Sequence, residues 1–321
     1  MKTVLVTGGA GFIGSNLSGE LLKRGYKVVC IDNFDPLYDP RLKEANVEPF
    51  KKDSNYVLYK SDIREFENLK DIFKKEKPAF VVHLAARPDT RDAVKNPWDY
   101  ISVNIGGTLN VLEACKDAEI ENLVMASSSS VYGNDPSMPW SESIKADKPL
   151  SPYGATKKTT ELLAHSYQHN FGLNITCIRY FNAYGENNRP TMVPYIWADA
   201  ILNDKEIEIS GDGSRSRDYT YIGDVVEGTI LAMEKPLGFE VLNIGNSDPV
   251  SLNELLSVFE KVTGKTAKVK SRPSHKASVE STFADITKAK ILLGWEPKTS
   301  IEDGIEKLIT WFRNNRLKDN V

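Results

Sequence analysis

The chain has 321 residues, 40% of them hydrophobic, and its 41 basic residues nearly balance 44 acidic ones for a net charge of −3. That is enough chain for one large domain or two unequal ones with a sizeable core. No basic stretch is interleaved with aromatic residues, so neither nucleic acid nor an anionic membrane surface is implied, and the expected partners are small molecules or a second copy of the chain.

Apolar runs alternate with helical patterns from the start. TVLVT is followed by a helix to about Arg24, then KVVCID, VLYKSD, a helix from about Phe66, AFVVHLA, a long helix through Val103 to Ala114, and NLVMASS. Runs rich in Val, Ile and Leu without period-two alternation read as strands buried on both faces, and their alternation with helices reads as βαβ units. The predicted fold class is α/β, a Rossmann-type doubly wound parallel sheet. After NITCIRYF the rhythm loosens. Pro190, Pro194, Pro236, Pro249 and Pro273 separate shorter elements, and SIEDGIEKLITWFRNN reads as the last helix. The expected division is a larger first domain over 1–173 and a smaller C-terminal α/β lobe over 174–321, with some segments returning to the first domain.

The first apolar run breaks at Gly8 and Gly9, too short for a signal-peptide core or a membrane span, which reads as a cytoplasmic protein. Cys30, Cys115 and Cys177 lie in apolar settings without partner spacing and are expected to be buried free thiols. His83, His165, His169 and His275 show no ligand spacing, so no metal is expected.

TGGAGFIG, Thr7 to Gly14, follows the first strand and opens the first helix. Glycines at 8, 11 and 14 let the backbone turn tightly and approach a pyrophosphate, to which the helix amino terminus presents unpaired N–H groups. The second strand ends on Asp32, about twenty residues on, where an acid accepts from an adenosine ribose. Asn33 follows rather than Arg, which favours NAD because the carboxylate would repel a 2′-phosphate. Asp62, in SDIR, either caps a helix or contacts adenine. In SPYGATKK, Tyr153 and Lys157 stand at i and i+4, on one helix face.

With HLAA (His83 to Ala86), SSSSVYG (Ser127 to Gly133) and YGATK in order, the chain closely resembles the extended short-chain dehydrogenase/reductase family, and within it the nucleotide-sugar 4-epimerases of the UDP-glucose 4-epimerase kind. RYFNAYG and GDGSRSRDYTYIGDV extend the resemblance over nearly the whole chain. It implies Tyr153 as the catalytic acid–base, Lys157 as its partner and Ser128 as the hydroxyl between them and the sugar, with Ser127 as the fallback. Phe12, Ile13, Ile63, Leu84, Ala85, Ala86, Asn104 and Tyr180 are expected to join the cofactor site. Ser129, Asn182, Arg189, Thr191 and Arg217 are expected at the substrate, Arg217 on the nucleotide diphosphate and Asn182 either near the glycosyl phosphate or fixing a loop.

Making a tyrosine of pKa ~10 a base near neutrality needs a shift of about three units, roughly 4 kcal/mol, and one cation about 4 Å away at an effective dielectric of about 20 supplies that much. Lys157, helped by the positive nicotinamide, is expected to hold the phenolate.

The family's dehydratases and decarboxylases carry a carboxylate just before VYG. This chain has Ser129 and Ser130 there, so hydride return to an inverted 4-ketose is the expected outcome. Relatives read Arg-x-Gly-Asp where this chain offers His275, Lys276, Ala277 and Ser278. Lys276 or Arg272 is then the replacement cation, and the missing ribose carboxylate leaves other pyrimidine nucleotides open beside UDP. For the hexose, YFN resembles the UDP-galactose 4-epimerases, the leading expectation. RPTM resembles the RPDM of UDP-glucuronate 4-epimerases, whose arginine sits near the sugar carboxylate, and Thr282 stands where a bulky tyrosine would exclude an acetamido group. The resemblance also implies a homodimer, built on the helices of Asn104 and Tyr153, although Val103, Leu109 and Leu112 would equally suit an internal core. A non-catalytic NAD-binding sensor is the rival of a different class.

Overall fold

A computed structural model describes residues 1–273 and 279–315. Seven strands, β1 (Thr3–Thr7), β2 (Lys27–Asp32), β3 (Tyr56–Lys60), β4 (Phe80–His83), β5 (Asn122–Ser128), β6 (Ile175–Tyr180) and β7 (Phe239–Ile244), form a parallel sheet in the order β7-β6-β5-β4-β1-β2-β3. Alternate residues of each strand enter opposite cores, which is why the strands are apolar throughout. Val4 and Val6 pack with Leu17 and Leu21 of the helix Phe12–Lys23 and with Ile230 and Met233 of the helix Ile222–Glu234. Leu5 faces the other way, into a core with Ile72, Leu112 and Ala164.

The chain winds outward from β1 through β2 to β3, then crosses to β4 and winds the other way. Loops leaving β1 and β4 therefore part, and a crevice opens at the carboxyl ends of those strands. Register decides which residues rim it. Thr7 lies beside Ile31 and His83, His83 beside Met125, and Ser128 beside Tyr180.

The lobe has its own core. Trp197, Ile201, Phe259, Leu308 and Phe312 come from the helices Val193–Leu202, Leu252–Thr263 and Ile301–Asn315, the second of which begins with a Ser251–Glu254 capping box. The strand Glu206–Ser210 pairs there with Lys268–Arg272. The sheet also takes β6 and β7 from beyond residue 173, so the second half supplies both the lobe and two strands of the first domain. All three cysteines are free and buried. Among the described residues no helix is long and apolar enough to cross a membrane.

His83 joins three of the rim segments. The Thr108 hydroxyl donates to the Asn104 carbonyl, so His83 Nε2 donates to Thr108 Oγ1 at 2.9 Å and Nδ1 accepts from Thr7 Oγ1 at 2.7 Å. Thr7 Oγ1 in turn accepts from Ala85 N. This direction of donation requires a neutral ring. Burial first, then the Lys157 charge, pushes the His83 pKa down to about 3. The unfolded chain binds the proton near pH 6.5 and the folded chain does not, so this group lowers stability as pH falls through 6.5 toward 3, by about 1.4 kcal/mol per unit. Urea unfolding of wild type and His83→Gln between pH 7 and 5 is expected to show their stability difference moving by that slope against wild type. A difference independent of pH would contradict the neutral buried ring.

Candidate active site

Gly11 opens the first helix with no side chain capping it, leaving the first-turn N–H groups directed into the crevice. A Cβ on Gly14 would stand 2.3 Å from the Gly8 carbonyl oxygen, so only glycine lets the helix pack this closely on the turn. Asp32, at the tip of β2, accepts from Ala10 N at 3.1 Å and Phe34 N at 2.8 Å, with Lys43 Nζ 3.6 Å away. Its carboxylate thus shapes the glycine turn as well as facing the crevice. Asp62 lines the crevice but caps no helix. Arg64 and Asn33 hold it, and these bonds, Arg64 first, lower its pKa to about 2. Gly8, Gly11, Phe12, Ile13, Gly14, Asn33, Ile63, Leu84, Ala85 and Ala86 all line the same cleft, of about 480 Å³. The uncapped helix, the glycine turn and the acid at β2 suit a dinucleotide.

Asn104 lies behind the cleft. Its side chain is 1% exposed and its polar atoms are engaged by the backbone of Arg87 and by Thr156 Oγ1, so it holds the loop after β4 to the Tyr153 helix and does not line the cleft.

The helix Pro152–Phe171 begins where Ser151 Oγ accepts from Gly154 N, with proline at its first position. A Cβ on Gly154 would meet the Ser130 carbonyl at 2.6 Å. The glycine therefore lets the helix press on the turn after β5 and sets the Tyr153 phenol against the Ser128 hydroxyl. Ser128 Oγ accepts from Ser130 N. Ser127 turns away and donates to Glu161, which separates the two candidate serines. Glu161 also forms two 2.8 Å bonds with Arg179, both residues buried, and the Arg179 guanidinium lies 4.7 Å from the Tyr132 ring centre. Burial alone would raise the Glu161 pKa, but these bonds hold it below the usual range.

Lys157 Nζ donates to the Ala126 carbonyl at 2.6 Å, and burial brings its pKa down to about 8. Burial raises the Tyr153 pKa, opposed by the Ser128 hydroxyl and the Arg189 guanidinium. Desolvation outweighs both.

Cations gather on the lobe side. Arg217 lines the cleft, with its guanidinium held by the carbonyls of Ser216, Val279 and Glu280 rather than by an acid. Burial lowers its pKa. Arg215 and Arg272 join it there. Asp218, next in sequence, accepts from the backbone of Asn246, Ser247 and Ala284 and so ties the loops behind Arg217. Arg189 and Thr191 line the middle, as do Ser129 and Tyr180, whose hydroxyl is engaged by Thr229. Asn182 also lines it, its amide donating to Thr282 Oγ1 and the Asp218 carbonyl, the loop-fixing alternative of its two readings. Lys276, His275 and Ser278 lie outside the described residues. Sequence reasoning passed over Tyr38, Lys43, Arg87, Arg91, Asn188 and Arg215. Only Arg215, two before Arg217 in the same segment, carried a signal.

A phenol and an ammonium on one helix beside a dinucleotide turn are the arrangement of the extended short-chain dehydrogenase/reductases. Residues 5–308 match the family described as GDP-mannose 4,6 dehydratase, and the chain belongs to that family. A UDP-glucuronate 4-epimerase of Thermodesulfobacterium geofontis is 46% identical over 316 residues, 98% of this chain and 97% of that protein. Among solved structures, the UDP-glucuronic acid 4-epimerase of Bacillus cereus in complex with UDP-glucuronic acid and NAD superposes with a TM-score of 0.91 at 38% identity, over 97% of this chain and 99% of that one. The UDP-glucose 4-epimerase of Thermotoga maritima with UDP-glucose gives 0.88 at 34%, with the same coverage.

Removing one member of a buried ion pair strands the other charge, typically at a loss of about 3–5 kcal/mol. Glu161→Leu is expected to destabilise the fold by that amount in chemical unfolding, and a loss under about 1 kcal/mol would show that Arg179 does not depend on it.

Proposed function

We propose that this protein interconverts UDP-glucuronate and its C4 epimer, UDP-galacturonate. At the coarser level it is an isomerase, an NAD-dependent UDP-sugar 4-epimerase. The observation that carries the choice of a uronate is Arg189. It lines the cleft, its charge reaches Tyr153, and its guanidinium donates to the Met192 sulfur, with no carboxylate paired to it among the described residues. A cation beside the catalytic phenol without an acid of its own suits a substrate that brings a carboxylate, which a guanidinium fork can grip through two oxygens. This reading replaces glucose and galactose, suggested first by the YFN segment, as the leading pair.

The proposed roles follow from placement. Tyr153 takes the proton of the sugar C4 hydroxyl, with Ser128 holding that hydroxyl in line. Bound at the glycine turn, NAD accepts the C4 hydride and later returns it. The positive charges proposed to favour the phenolate are Arg189, the nicotinamide and Lys157, the last held at the Ala126 carbonyl. The carboxylates lining the cleft, Asp32, Asp35, Asp62 and Asp89, all lie at the end of β2 or in the loops after β2, β3 and β4. None stands at the Ser127–Ser130 turn to drive elimination, so the ketose is left to be reduced from its other face. Arg217, Arg215 and Arg272 are the proposed diphosphate and nucleotide cations. A homodimer is proposed on the exposed apolar side chains Leu109, Leu162 and Phe171, while Val103 and Leu112 belong to the internal core.

Incubation with UDP-glucuronate, UDP-glucose and UDP-N-acetylglucosamine, with products resolved by stereochemistry, is expected to show galacturonate formed fastest and no NADH accumulating. Faster epimerisation of either neutral sugar would overturn the uronate assignment. Arg189→Met is expected to lower kcat/KM for UDP-glucuronate roughly 100-fold, the scale of a lost charged hydrogen bond, and for UDP-glucose far less. Tyr153→Phe should lose turnover by about 10²–10⁴-fold with its thermal transition kept, and near-normal turnover would remove Tyr153 from its role.

A further inference from the structure

The segment Glu186–Asn188, between the catalytic edge of the sheet and Arg189, crosses the mouth of the cofactor end of the cleft and is tied down at both sides. Asn16 Nδ2 donates to the Glu186 carbonyl at 3.0 Å, and Asn187 Nδ2 reaches Ser15 Oγ at 3.5 Å. Both partners sit in the first turns of the glycine-led helix. On the lobe side, the Tyr221 hydroxyl donates to the Glu186 carboxylate at 2.9 Å. The backbone turns at Asn187 with φ of 61°, a conformation asparagine tolerates better than most residues.

Asn188 then faces inward. It is 3% exposed and lines the cleft. Its Oδ1 accepts from Arg189 N at 2.7 Å, which fixes the orientation of the amide, since the opposite one would set NH₂ against N–H. Among the described residues its Nδ2 has no hydrogen-bond partner. A buried donor without an acceptor is costly and rare in folded proteins, so one held in a fixed orientation at a binding cleft implies that a ligand supplies the acceptor. Its position names the ligand group. One residue earlier the strap touches Ser15, just beyond the uncapped helix terminus, and one residue later Arg189 turns to Tyr153. Asn188 stands between the phosphate-binding turn and the reacting carbon.

We infer that Asn188 Nδ2 donates to a pyrophosphate oxygen of the bound dinucleotide, so that the strap Glu186–Asn188, tied to the first helix, closes over the cofactor. The inference rests on the reading of NAD as the cofactor. It gives the strap a purpose in an epimerase, where the same nucleotide must stay bound between giving up and regaining its oxidised form.

The test is calorimetric titration of NAD into the full-length chain freed of nucleotide, without any sugar. Asn188→Ala is expected to bind NAD roughly 10- to 100-fold more weakly, the range for a hydrogen bond to a charged group. Asn188→Asp keeps the shape and the bond to Arg189 N but sets a carboxylate against phosphate, and is expected to bind more weakly still. Both should melt like wild type when no nucleotide is present. Unchanged NAD affinity in Asn188→Ala overturns the inference. So does an effect confined to KM for UDP-glucuronate, which would place the donor on the sugar. Failure of the wild-type chain to bind NAD would overturn the cofactor assignment itself, an outcome distinct from equal binding by wild type and variant.

Discussion

Parallel strands wound outward in two directions from β1 can leave only one gap between neighbouring loops on their carboxyl side, and everything proposed for this protein takes place at that gap. Because the sheet is buried on both faces, its strands cannot slip by a residue without driving the side chains of one core into the other. Register therefore transmits the hydrophobic pattern directly into the positions of Thr7, Asp32, His83, Ser128 and Tyr180 along one rim. The Tyr153 helix is then brought to the rim by two local devices, the Ser151 cap and the clearance at Gly154.

The charges of the molecule sort into two kinds. Glu161 and Arg179 are buried, paired with each other, and placed behind the serines. They fix β5, β6 and the catalytic helix against one another and contribute no free charge to the cleft. Arg189 and Arg217 are positioned in the cleft with sulfur or carbonyl neighbours instead of acids. A guanidinium kept away from carboxylates retains its attraction for an incoming anion, which suits a substrate bearing phosphates and, on the proposed reading, a uronate. The neutral His83 and the inward amide of Asn188 extend the same economy of charge, since a second ionised group so near Lys157 or the phosphates would shift their affinities and titrations.

Legibility in the sequence followed how local the physics was. TGGAGFIG with Asp32 announces a dinucleotide turn because the turn, its helix and the neighbouring strand end lie within some thirty residues of chain. Tyr153 and Lys157 were legible as a pair because a helix places i and i+4 on one face. What that spacing does not contain is the third direction, toward β5. Lys157 is drawn to the Ala126 carbonyl, and burial raises the Tyr153 pKa against the Ser128 hydroxyl and the Arg189 charge. Asn104 shows the same limit, since an asparagine looks the same in sequence whether it faces a ligand or, as its bonds to Arg87 and Thr156 show, braces a loop.

The sequence by itself determined the doubly wound sheet, the dinucleotide turn and the placing of Tyr153 and Lys157 on one helix face, because hydrophobic periodicity, glycine spacing and helix periodicity are properties of neighbouring residues. Only the tertiary structure decided that Ser128 and not Ser127 meets the phenol, that Arg189 reaches the catalytic tyrosine without an acid of its own, and that Asn188 carries an unanswered donor. Those facts depend on desolvation and on which groups, distant in the chain, fill or fail to fill each other's hydrogen-bonding capacity, and no local pattern encodes that.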